Sequence, residues 1–138
     1  MTIVEKVKEL NLPFGQYVVI GSGLLEALGI RKAQDIDVAV LPNLYDRLRA
    51  SGEWGEEEKY GKIFLVREGI EISPKTSWDE YTTTTEEAIA SAMIIDGVPF
   101  MSPKELIKFK TAMGRELDFR DIDLLNEYLE KHRDQEPS

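Results

Sequence analysis

The segment Asp35-Ile36-Asp37-Val38-Ala39-Val40 sets two carboxylates at the start of an apolar run. In an extended strand alternate side chains share a face, so Asp35 and Asp37 point one way and Ile36, Val38 and Val40 the other. Side-by-side carboxylates repel unless a cation lies between them. Hard oxygen donors of this kind suit Mg²⁺, which takes one or two carboxylates together with substrate phosphates. Standing alone, the pair would read equally well as a solvated strand end. A second element is Gly21-Ser22-Gly23, between a strand-like and a helix-like run. Backbone N–H groups and the Ser22 hydroxyl of such a turn can face an anion, and glycine lets a phosphate approach the backbone. Ser22 is also a good helix N-cap, so the turn is weak evidence by itself.

Other chemistries fit less well. A dinucleotide fingerprint needs a small residue where Glu26 stands, and it gives Asp35 and Asp37 no joint role. A calcium loop fails because Ala39 occupies a ligand position. A phosphohydrolase with Asp35 as nucleophile would place the apolar strand before the aspartates, whereas here it follows them. A purely structural domain leaves the grouping unexplained. The chain has no cysteine, which excludes disulfides and thiolate chemistry and fits a cytoplasmic protein. Its single histidine, His132, sits in a charged segment near the C-terminus and reads as solvated. Chemistry must therefore rest on carboxylates, lysines and hydroxyls. A net charge of −9 argues against a broad nucleic-acid surface. No apolar run is long enough to span a membrane, and the N-terminus lacks signal-peptide character.

The elements that must position these residues alternate along the chain. Thr2 and Glu5 have capping-box spacing ahead of an apolar stripe of Ile3, Val7 and Leu10 that stops at Pro13. Residues 17–20 read as a buried strand and 24–28 as a helix stopped by Gly29. A second strand covers 36–41, and Pro42 opens a helix with Leu44 and Leu48 inward and Gly52 beyond its end. Residues 63–66 and 70–72 form a hairpin about Arg67-Glu68-Gly69. Residues 73–85 read as loop, and Thr84 with Glu87 opens a helix reaching about Ile94. Residues 98–101 suit a short edge strand, because Pro99 cannot donate a ladder bond. Ser102, Pro103 and Glu105 start a helix that Gly114 breaks, and Asp118 starts the last, with Ile122, Leu125 and Leu129 inward. This order predicts one α/β (α+β) domain over residues 1–132, a mixed sheet with helices packed against it, and a disordered tail at 133–138.

Taken together, a strand ending in Gly21-Ser22, twelve intervening residues and then Asp35-Ile36-Asp37 resembles the signature of the nucleotidyltransferase superfamily related to DNA polymerase β. That family carries a third carboxylate on a later strand between apolar residues. Glu71, in Ile70-Glu71-Ile72, takes that place, where the family more often has Asp. The stretch Ser102-Pro103-Lys104-Glu105-Leu106, Lys110, Gly114-Arg115, Asp118 and Asp121 is similar to small bacterial nucleotidyltransferases, including the AbiEii-like group. Read from the residues alone, Glu71 could be an outward strand residue, Lys110 a solvated helix lysine and Asp118 an N-cap.

The resemblance implies a nucleotidyltransferase fold and transfer of a nucleoside monophosphate from a nucleoside triphosphate to an acceptor hydroxyl, with pyrophosphate release. It implies Asp35, Asp37 and Glu71 as catalytic and metal-binding residues for two Mg²⁺ ions. Gly21, Ser22, Lys110, Asp118 and Asp121 would form the nucleotide site. The acceptor could be a tRNA end, a protein hydroxyl or a small molecule, and a homodimer could complete the cleft. The alternative is an inactive nucleotidyltransferase-like module that binds a nucleotide or a partner. Trp54, Trp78 and Tyr81 are aromatic residues that could stack on a base or simply pack.

Overall fold

A computed structural model describes residues 1–74 and 82–132. The expectations for Trp78, for Tyr81, for most of the 73–85 loop and for the 133–138 tail fall outside the described residues. In chain order the elements are α1 (Ile3–Lys8), β1 (Tyr17–Ile20), α2 (Gly23–Ala27), β2 (Ile36–Val40), α3 (Pro42–Ala50), β3 (Gly55–Lys59) and β4 (Lys62–Arg67). They continue with β5 (Ile70–Ser73), α4 (Thr85–Ala90), β6 (Met93–Ile95), β7 (Val98–Phe100), α5 (Pro103–Met113) and α6 (Glu116–Lys131).

The strands form a seven-stranded mixed sheet in the order β3-β4-β5-β2-β1-β7-β6. Neighbours β1 and β2 are antiparallel, while β2 with β5 and β1 with β7 are parallel. The central strands are apolar on both faces: Val18, Val38, Leu65, Ile72 and Phe100 are fully buried. Helices α1 and α2 cover the sheet with Ile3, Val7, Leu24 and Leu25. The expected caps are present. Thr2 Oγ1 accepts from the Glu5 amide at 3.2 Å, and Ser102 Oγ accepts from the Glu105 amide at 3.2 Å.

Four features differ from the sequence expectation. Strand β3 was not anticipated, because Glu56-Glu57-Glu58 shows no apolar alternation; it pairs with β4 at the sheet edge, where charge is tolerated on both faces. The helix after Thr84 stops at Ala90, and Met93–Ile95 becomes β6, since Asp96-Gly97 makes a tight turn back into β7. Strand β7 is not an edge: it lies between β1 and β6. Its ladder to β1 bypasses Pro99, running from the Met101 amide to Val19 O at 2.8 Å. The last helix begins at Glu116, with Asp118 inside its first turn.

Gly23 is the tightest point of the packing around α2. A Cβ there would stand 2.5 Å from Val19 Cγ1 and 3.2 Å from Ile3 Cδ1. Gly23→Ala is therefore expected to destabilise the fold by about 1–3 kcal/mol, read as a lower urea midpoint with an unchanged slope.

Candidate active site

Backbone register brings the distant carboxylates together. Antiparallel pairing sets Ile20, the last residue of β1, opposite Asp37, and parallel pairing sets Asp37 opposite Glu71. Asp35 immediately precedes β2. Gly21 follows β1 with φ +67°, and a Cβ on it would lie 3.3 Å from Asp37 Oδ2. Glycine adopts this conformation without strain, and the turn packs its bare backbone against the carboxylate. Gly21, Ser22, Asp35, Asp37, Glu71 and Lys110 all line one cavity of about 600 Å³. Clefts of about 850 and 870 Å³ elsewhere contain none of these six, so chemistry rather than size marks the site.

The carboxylates are electrostatically loaded. Burial pushes the Asp37 carboxyl from its ordinary 3.8 up to about 7, and the nearby charges of Glu71 and Asp35 push in the same direction. Lys59 relieves part of this load, with Nζ 2.8 Å from Glu71 Oε1. Among the described residues, no three carboxylate or histidine side chains gather closely enough to hold a metal ion by themselves. The donor set nevertheless suits Mg²⁺, which completes its shell with phosphate oxygens and water.

Behind the cavity lies a second charge cluster. Lys110 is only 2% exposed, and its Nζ reaches Ser22 Oγ (3.1 Å), Asp121 Oδ2 (2.9 Å) and Asp118 Oδ1 (3.6 Å). Arg31 grips Asp121 with two bonds of 2.7 and 2.6 Å and reaches Ser22 Oγ at 3.0 Å. Ser22 makes no side-chain cap for α2. Its oxygen accepts from two cations, which fills both lone pairs and leaves the O–H as a donor only. Asp118 is not an N-cap either. It accepts from the Arg115 amide at 3.1 Å and from the Arg115 guanidinium at 2.7 and 3.0 Å. Burial alone would raise Asp118 and Asp121, but Arg115 for the first, and Arg31 and Lys110 for the second, outweigh it and hold both carboxyls below the usual range.

The sequence-predicted residues thus divide. Gly21, Ser22, Asp35, Asp37, Glu71 and Lys110 share the cavity, while Asp118 and Asp121 are fully buried and are not among its lining residues. Lys59, Tyr60 and Arg115 also line it, and Arg31 holds Ser22 from outside. Sequence reading assigned no role to these four. Arg31 meets Asp121 across 90 positions, and Lys59 ends a strand without apolar pattern. Trp54 is a packed residue, 9% exposed, with the Arg67 guanidinium 4.4 Å above its ring.

This mixed sheet and its covering helices form a nucleotidyltransferase-type fold. Among solved structures, the chain is similar to ANT(2″)-Ia, an aminoglycoside nucleotidyltransferase, in complex with adenylyl-2″-tobramycin. The TM-score is 0.53 at 18% identity, over 93% of this chain and 86% of that one, a likeness of fold. No protein-family model and no curated protein matches the chain.

Two consequences follow for stability. Because Asp37 is raised in the folded state, its contribution is fully present below about pH 4 and is lost as pH rises through about 7. Asp37→Asn should leave stability unchanged at pH 4 and raise it by up to about 4 kcal/mol at pH 8, in denaturant titrations with EDTA. Lys110→Met leaves Asp118 and Asp121 short of a buried partner and should cost about 3–5 kcal/mol. Lys108→Met, at an exposed position, should stay within about 0.5 kcal/mol in the same measurement.

Proposed function

We propose that this chain is a Mg²⁺-dependent nucleotidyltransferase, akin to the AbiEii-like group, moving a nucleoside monophosphate from a nucleoside triphosphate to an acceptor hydroxyl. The carrying observation is that Asp35, Asp37, Glu71, the Gly21-Ser22 turn and Lys110 line one cavity, with Asp37 packed against Gly21. Carboxylates opposite an anion-binding turn are what phosphoryl-type transfer requires, since it depends on positioning and charge neutralisation more than on a protein nucleophile.

Each side chain has a role in this reading. Gly21 and Ser22 bind the outer phosphates, with the Ser22 O–H donating to a phosphate oxygen. Lys110 adds positive charge there and is held in place by Asp118 and Asp121, which serve the nucleotide site from behind. Asp35, Asp37 and Glu71 would hold magnesium, which when bound neutralises phosphate charge and acidifies the acceptor hydroxyl. With Oε1 held by Lys59, Glu71 Oε2 is the oxygen open to magnesium or to the acceptor's proton. The acceptor is a tRNA end, a protein hydroxyl or a small molecule. Adenylyl-2″-tobramycin in the solved neighbour makes tobramycin the first acceptor to try. Among the described residues, no helix is long and apolar enough to cross a membrane.

Pyrophosphate release with each NTP, with and without Mg²⁺ and across candidate acceptors, tests the proposal. Wild type should turn over only with Mg²⁺. Asp35→Asn combined with Asp37→Asn should lower the rate by on the order of a thousandfold or more, with an unchanged circular-dichroism spectrum. Equal turnover by the double variant sinks the assignment. Calorimetric NTP binding without turnover for any acceptor would favour the inactive binding module.

A further inference from the structure

Three hairpins in this sheet close through two-residue turns, joining Lys59 to Lys62, Arg67 to Ile70 and Ile95 to Val98. In each, both turn residues have positive φ: Tyr60 (53°) with Gly61, Glu68 (48°) with Gly69, and Asp96 (50°) with Gly97. Such turns favour Asn, Asp or Gly at the first position, and Asp96 conforms. Glu68 and Tyr60 do not, and a bulky aromatic there is the stronger outlier. The strain is not repaid by burial, because Tyr60 is 81% exposed.

Its location sets it apart from Glu68. Tyr60 lines the active-site cavity, whose walls combine the apolar side chains of Phe64, Phe109 and Met113 with the carboxylates and Ser22. Arg115 lines the same cavity, so the hairpin tip lies near the α5–α6 junction. A nucleoside triphosphate has the same two-part character, an anionic chain and a flat aromatic base. Stacking on an aromatic side chain serves any base, since every base has a π-face.

We propose that Tyr60, presented by the strained β3–β4 turn, is the platform on which the base of the bound nucleoside triphosphate stacks. This rests on the nucleotidyltransferase reading. Of the aromatics that the sequence offered for stacking, Trp54 is packed beneath Arg67, and Trp78 and Tyr81 fall outside the described residues.

The test uses the full chain and three variants, Tyr60→Asn, Tyr60→Phe and Tyr60→Trp. Thermal melts are combined with calorimetric Kd values for a non-hydrolysable NTP and for inorganic triphosphate, both with Mg²⁺. Asparagine suits the turn, so Tyr60→Asn should melt higher than wild type while binding the NTP about tenfold more weakly. Its affinity for inorganic triphosphate should be unchanged, and Tyr60→Phe and Tyr60→Trp should bind the NTP within about twofold of wild type. A purely structural role would not move stability and affinity in opposite directions. The proposal is overturned if Tyr60→Asn binds the NTP like wild type, or if it loses NTP and inorganic triphosphate alike. Wild type that binds inorganic triphosphate but no NTP overturns the platform and leaves the phosphate site standing. Wild type that binds neither overturns the transferase reading as well.

Discussion

The organising constraint of this protein is the forced proximity of Asp37 and Glu71. Parallel pairing of β2 with β5 sets them opposite one another, and hydrophobic packing makes that pairing hard to alter. Val38 and Ile72, the next pair in register, are completely buried. A one-residue slip of β2 would carry its aspartates to the opposite face and expose the buried set. The repulsion therefore cannot relax by strand movement. It is met by a raised Asp37 pKa and by Lys59, and a divalent cation would relieve it further. The site is thus electrostatically strained, with Asp37 raised by burial and by its carboxylate neighbours.

The cluster behind the cavity follows the opposite rule. Asp118 and Asp121 are inaccessible to solvent, yet each is held ionised by cations arriving from different elements. Desolvating so many charges makes such a network a weak source of net stability. Its value lies in geometry. Arg31 comes from the segment after α2, Lys110 from α5, and Asp118 and Asp121 from α6. All converge on the single oxygen of Ser22 or on its supports. The Gly21-Ser22 turn is thereby tied to the C-terminal helices, which the sheet ladder alone does not do.

This division explains what was legible in the sequence. Gly21-Ser22 and Asp35-Ile36-Asp37 rest on local rules, strand alternation and turn chemistry, and both stand where those rules put them. The capping box at Thr2 and the N-cap at Ser102 are equally local. What local patterns could not carry is non-local. Lys110 and Asp121 were reached through the family resemblance alone, and Arg31, given no role, becomes Asp121's partner only after the sheet has folded. The run Ala92 to Ile95 fits helix and strand periodicities alike, and the Asp96-Gly97 turn decides for strand. At Asp118 the local reading found the right helix end but the wrong position, because Arg115 precedes the helix and Asp118 reaches back to it.

Strand β3 shows how function overrides pattern. By composition Gly55–Lys59 has little reason to be a strand: its glutamates bury nothing and β-propensity is low. As a sheet edge, however, a charged strand resists pairing with other chains, which an apolar one would invite. Its backbone is aligned by β4 and by the Tyr60-Gly61 turn rather than by side-chain burial. The last residue of the strand is Lys59, the cation that holds Glu71, and the next is Tyr60, at the rim of the cavity. A strand with no core to fill thus positions the two side chains at its end. That inverts the usual relation between a sheet and its loops: here the edge strand is the support, and the turn is what it exists to place.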